Sequence, residues 1–183
     1  MSNQFTYIST FLSFVVALAL THLLAGIASA LRTNSLRISL RHALWVGIYV
    51  FACVDFWFSL WGLRASTDWS LGFVLYLLAL VTVLYIGCHL VIPKIEEDAE
   101  LDLVAFELAK RRKYMAIFAI YISTAIAANL IISGFVSAIW INVAVLALLV
   151  CALRWPQARM QNAATAAILA LSAYYAVVFI PAL

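Results

Sequence analysis

The chain predicts an all-α, polytopic membrane protein of six transmembrane helices, and three observations carry that expectation. Of its 183 residues, 67% are apolar and only 10% charged, with a mean hydropathy of +1.09, far from the roughly 25% charged content of soluble domains. Six stretches are apolar over about the 20 residues a spanning helix needs: Phe5 to Leu31, His42 to Leu63, Leu71 to Ile92, Tyr114 to Ile132, Ser137 to Leu153 and Ala163 to Leu183. Ten of the eleven Lys and Arg residues fall in alternate loops between those stretches. Barrel strands would instead be about ten residues long and would alternate polar with apolar.

The first stretch lacks the basic n-region and A-x-A pattern of a signal peptide and is too long for an h-region, so it reads as a retained helix. Near its end Ala25, Gly26, Ser29 and Ala30 form two small-xxx-small pairs, which permit close helix approach within the monomer or at an oligomer seam. Arg32, Arg37 and Arg41 fill the first loop.

The second stretch is heavily aromatic, with Trp45, Tyr49, Phe51, Phe56, Trp57, Phe58 and Trp61, and it holds Asp55, the single acid in any of the six runs. A charge at that depth costs about 2.5 to 3.5 kcal/mol on insertion scales. Aromatic walls penalise the carboxylate further, which suits a group that carries a proton or pairs with a cation. The bland alternative is a neutral carboxyl that bonds to a neighbouring helix as glue. Arg64 is the one base beyond this stretch, and the third stretch ends at Ile92-Pro93.

Residues 94–113 form the only substantial extramembrane segment. Leu101, Val104, Ala105, Leu108 and Ala109 follow the i, i+3, i+4, i+7, i+8 template of an amphipathic helix. Acids come first (Glu96, Glu97, Asp98, Glu100, Asp102) and bases last (Lys110, Arg111, Arg112, Lys113), an order that complements the helix dipole. The segment reads as a cytoplasmic helix that runs into the fourth stretch, lying between a three-helix half, residues 1–93, and a second three-helix half, residues 114–183. Tyr7-Ile8-Ser9-Thr10 recurs as Tyr121-Ile122-Ser123-Thr124, and Leu78-Ala79-Leu80 as Leu169-Ala170-Leu171. With three spans per half, true repeats would be inverted, as in many transporters. The two offsets, 114 and 91 residues, disagree.

Asn129 and Asn142 fall in the outer parts of the fourth and fifth stretches, and Arg154 and Arg159 fill the last basic loop. By the positive-inside rule the odd loops are cytoplasmic and both termini lie outside, with the cell (inner) membrane as the address. The bases flank spans, so nucleic acid is not an expected partner, whereas the lipid bilayer is.

His22 and His89 raise the question of haem. Counting 1.5 Å per residue from Arg32 and Lys94 puts them roughly 15 Å and 7 Å deep, at different levels. Cys53, Cys88 and Cys151 lie in apolar runs without metal-ligand spacing and read as packing residues. There is no lysine in a span, no arginine ladder, no N-P-A pair and no T-V-G-Y-G filter. Nor is there a G-x-S-x-G, an H-E-x-x-H or a phosphate loop, so no enzyme activity and no cofactor are expected.

The residues point to a small transporter or channel for an ion or small solute, working as a homo-oligomer. Asp55 would be its coupling or selectivity residue, Asn129 and Asn142 would share an outward-facing polar site with it, and His22 would serve as a relay. The alternative is a non-catalytic membrane subunit or sensor that docks a cytoplasmic protein through Leu101, Val104, Leu108, Arg111 and Arg112.

Overall fold

Helix starts are written into three polar side chains. The Ser39 hydroxyl accepts from the His42 N–H at 3.3 Å, Ser70 from Phe73 at 3.2 Å, and the Asp102 carboxylate from Val104 and Ala105 at 2.8 and 2.9 Å, each satisfying donors that a helix leaves orphaned in its first turn. The computed structural model describes residues 3–33, 35–65, 69–94, 101–133 and 139–179. Among these the helices are α1 (Asn3–Arg32), α2 (Leu40–Gly62), α3 (Leu71–Val91), α4 (Leu103–Ser133), α5 (Ile139–Arg154) and α6 (Ala158–Phe179). A 3-10 turn, Leu63–Ala65, follows α2, and two short strands, β1 (Leu36–Arg37) and β2 (Leu101–Asp102), pair in parallel.

The aromatic helix α2 is the hub, packing on α1, α3, α4 and α6, while α1, α3, α4, α5 and α6 follow one another around it. Its buried face, Trp45, Ile48, Tyr49, Ala52, Cys53, Phe56 and Leu60, recurs at steps of three and four residues, the spacing of one helix stripe. Neighbours approach most closely where glycine removes a side chain. A Cβ at Gly26 would enter Ile92, and one at Gly87 would enter the ring of Tyr49.

Cross-links between helices fix their relative direction. Arg41 and Tyr49 of α2 bond to Glu107 and the Tyr114 carbonyl of α4, and Arg41 and Trp45 bond to Asn162 and Thr165 of α6. Numbers rise together in every pair, so α2, α4 and α6 run parallel. His42 at the start of α2 meets the Val91 carbonyl at the end of α3, at 2.7 Å, so α3 runs opposite.

Five helices, α1 to α4 and α6, are long and apolar enough to cross a membrane. The fifth expected span is shorter: α5 has 16 residues, about 24 Å at 1.5 Å per residue against a hydrocarbon core of about 30 Å. The helix expected to run into the fourth span is continuous with it, since α4 extends unbroken from Leu103 to Ser133, but Leu101 and Asp102, expected within that helix, form β2 instead. Glu96, Glu97, Asp98 and Glu100 of the proposed first turns lie outside the described residues.

The proposed duplication finds no echo in the packing. α1 packs along α3, and α4 makes no comparable contact with α6 among the described residues. Tyr7 is 80% exposed while its supposed counterpart Tyr121 is 5% exposed, so the matching letters occupy unlike surroundings.

Candidate functional site between α2, α4, α5 and α6

Asp55 lies seven residues before the end of α2, about 10 Å along the axis from it. It borders a cavity of about 40 Å³ where four helices meet, with room for about one or two waters. Asn142 of α5, Ser172 and Tyr175 of α6 and Tyr121 of α4 supply the other polar groups, and Phe51 and Phe118 line the apolar part. No hydrogen bond or ion pair ties the Asp55 carboxylate to another described residue. The site thus offers one acid, one amide and three hydroxyls around a space small enough for a water, a proton carrier or a bare cation.

Two of the four expected site residues, Asp55 and Asn142, are brought together here. Asn129 does not line the cavity; it lies eight residues beyond Tyr121 on α4, about 12 Å further along the axis. Nor do the rings expected to wall Asp55 do so as a set. Trp57 and Trp61 are exposed on another face of α2 and line a groove against α1, because a helix turns about 100° per residue. The walls come instead from Phe51 and from the facing helices α4 and α6.

His22 also lies apart, on the opposite side of α2, where it stacks on His89 of α3 with ring centroids 3.7 Å apart and planes within 6°. The two levels inferred from loop ends are therefore wrong. The reason is the contact of Gly26 with Ile92: α1 continues six residues past that point to Arg32, about 9 Å beyond the end of α3. Rings stacked face to face at this spacing leave no gap for a porphyrin between them. His22 Nε2 is buried without a hydrogen-bond partner among the described residues, and His89 Nδ1 lies 3.3 Å from the Tyr85 carbonyl.

The larger polar cluster escaped the sequence altogether. Glu107, 1% exposed, accepts two hydrogen bonds from Arg41, 17% exposed, at 2.8 and 2.5 Å, and Arg41 also donates to Asn162 at 3.1 Å. This fork joins α2, α4 and α6 at the end carrying the basic loops. Trp45 donates to Thr165 at 3.2 Å, and Gln161 donates to the Ala152 and Trp155 carbonyls. Arg111 donates to the Pro156 carbonyl at 3.2 Å, and Arg37 pairs with Asp102 at 3.1 Å. Glu107 could have been found by extending the buried stripe Tyr121, Phe118 and Tyr114 backwards through residue 113, which leads to Glu107 and Leu103.

The predicted apolar stripe of the segment is turned away from that buried face. Leu101 and Val104 are half-buried, Leu108 is 56% exposed, and Ala105, Ala109 and Arg112 are exposed. Cys53 and Cys88, read as separate packing residues, face each other across α2 and α3 with sulfurs 3.6 Å apart. Comparison of the chain with protein-family models, curated proteins and solved structures finds no match in any of the three.

Proposed function

We propose that the protein is a small integral membrane transporter for protons or a single small cation, with Asp55 as the coupling residue and Asn142, Ser172, Tyr121 and Tyr175 as its neutral ligands. The observation that carries this reading is the shared cavity: a carboxylate with no ionic partner among the described residues shares a space of about 40 Å³ with an amide and three hydroxyls. A volume of this size favours a proton or a dehydrated ion over an organic solute. Hydroxyl and amide oxygens are the donors a hard cation or a short water chain requires.

In this reading α5 completes a sixth crossing, the basic loops face the cytoplasm and both termini lie outside. The cytoplasmic end is closed by the Arg41, Glu107 and Asn162 fork, and Asp55 is reached from the other end. Flux in proteoliposomes tests the assignment. Wild type should dissipate an imposed pH or cation gradient, Asp55→Asn should abolish that flux, and Asn142→Ala should slow it roughly tenfold, the effect of about 1.4 kcal/mol. Absence of wild-type flux, or equal flux in Asp55→Asn, removes the proposal.

One observation favours a second reading, a membrane subunit that docks a cytoplasmic protein. Leu108 stands exposed beside Lys110 and Arg112 on the first turns of α4, the pattern of an amphipathic anchor. A photo-crosslinker at position 108 should then join the chain in cells to one partner of defined mass. Crosslinks to lipid alone would sink this reading.

A further inference from the structure

At the end of the molecule away from the basic loops, α1 and α2 separate to leave a groove of about 300 Å³ between Phe5, Ser9 and Ser13 on one side and Trp57, Phe58 and Trp61 on the other. Arg64, the sole base outside the basic loops, lies on the 3-10 turn after α2, beside Trp61 of the groove wall. Its guanidinium carbon lies 5.1 Å from the centroid of the Trp61 ring. Arg64 is exposed, and among the described residues no acid pairs with it.

We propose that this groove is a binding site for one anionic phospholipid, with the phosphate held by Arg64 and an acyl chain lying between α1 and α2. Charge complementarity and the division of the site into polar and apolar parts point to such a lipid. An arginine stacked on an indole uses the face of its guanidinium and keeps the in-plane N–H groups for a bidentate contact with phosphate. Trp61 beneath it is a residue that settles at headgroup level, which sets the phosphate at the mouth. Below that level Trp57, Phe58 and Leu60 of α2 face Ser9 and Ser13 of α1. From Phe5 to Ser13 the groove follows α1 for about 12 Å, a length that suits the upper part of a hydrocarbon chain. A soluble anion would meet Arg64 alone and gain nothing from these walls. The inference needs only the membrane location and is independent of any flux through the Asp55 cavity.

Tryptophan quenching by brominated lipid reads the site directly, because Trp57 and Trp61 form its wall. The full chain is placed in nanodiscs of phosphatidylcholine doped with acyl-brominated phosphatidylglycerol or, at the same mole fraction, acyl-brominated phosphatidylcholine. The anionic lipid should be preferred about fivefold, the effect of one base near an anionic headgroup. Arg64→Gln should erase the preference, Arg64→Lys should retain part of it, and Trp57→Phe with Trp61→Phe should remove the lipid-selective part of the quenching. Ser13→Leu, which fills the groove and keeps Arg64, should weaken quenching by the anionic lipid. Equal quenching by both lipids in wild type, or a preference that survives Arg64→Gln, overturns the proposal. An unchanged signal in Ser13→Leu would remove the acyl-chain half, and loss of the preference on adding inorganic phosphate would reassign Arg64 to free anions.

Discussion

A methyl group at position 87 would have no space. The Tyr49 ring occupies the volume that a Cβ on Gly87 requires, and the ring is held at both ends, by a 2.7 Å bond from its hydroxyl to the Tyr114 carbonyl and by edge contact with Phe118 at 5.2 Å. Gly87→Ala should therefore destabilise the bundle by about 1 to 3 kcal/mol, the usual effect of overpacking, and Tyr49→Leu should relieve most of that loss in the double variant. Thermal unfolding in detergent measures both, and an unchanged midpoint in Gly87→Ala would mean that the ring can move aside. Neither this contact nor the walls of the Asp55 cavity was legible in the sequence, because each depends on which faces of two helices meet. Asp55 itself was legible: one acid in an apolar run stands out whatever surrounds it. Asn142 was legible for the same reason, whereas Ser172, Tyr121 and Tyr175 are ordinary residues in a helix of this composition and acquire meaning only from the convergence of α4, α5 and α6.

At the scale of elements, α4 joins the charged segment to the fourth apolar stretch in one helix. Acids followed by bases suggested a helix running into the fourth span, and α4 is continuous from Leu103, with Arg41 of α2 supplying a partner for Glu107 near its start. Removing one member of so buried a pair leaves the other charge without compensation. Glu107→Gln is expected to cost about 3 to 5 kcal/mol, whereas Arg41→Met with Glu107→Leu should recover most of it, since apolar replacements of a buried pair are often neutral. If the double variant is as unstable as the single one, the fork is needed for more than mutual neutralisation. The start of the same helix is sensitive to acid. Bonding to the Ala105 N–H, then to Val104, with Arg37 beside it, holds the Asp102 carboxyl below the usual carboxylate range. Its folded value is depressed, so the cap's contribution is present above the unfolded value of about 3.9 and is lost as pH falls through the folded one. Asp102→Asn keeps an acceptor without the titration and should flatten the acid limb of a stability profile; an identical limb would exclude this cap as its source. Serine caps at positions 39 and 70 were no more visible from sequence than this one, since apolar runs locate a helix only to within a turn.

For the whole molecule, the three basic loops converge at one end. β1 of the first loop pairs with β2 of the third, with Leu101 N–H bonding the Ser35 carbonyl at 3.0 Å, and Arg111 of α4 reaches Pro156 of the last. Alternation of ten bases against one made this end legible in advance. The hub position of α2 and the unlike packing of the two halves were not legible, since neither changes the count of apolar runs. The shortness of α5 makes the last loop the critical test of topology, because residue 157 faces the same side as residue 35 only if α5 returns the chain across the bilayer. Single cysteines at Ser35, Gln157 and Gly72 probe this without removing a base, and at Gly72 an added Cβ meets nothing within 4 Å. The native Cys53 and Cys88 are fully buried and contribute little background, and the half-buried Cys151 is replaced by alanine in all three variants. With a membrane-impermeant maleimide on intact cells, Gly72→Cys should label while Ser35→Cys and Gln157→Cys stay protected until the membrane is opened. Labelling of Gln157→Cys together with Gly72→Cys would show that α5 does not cross. Labelling of Ser35→Cys and Gln157→Cys with Gly72→Cys protected would reverse the orientation while leaving the bundle intact, and Asp55 would then open toward the cytoplasm.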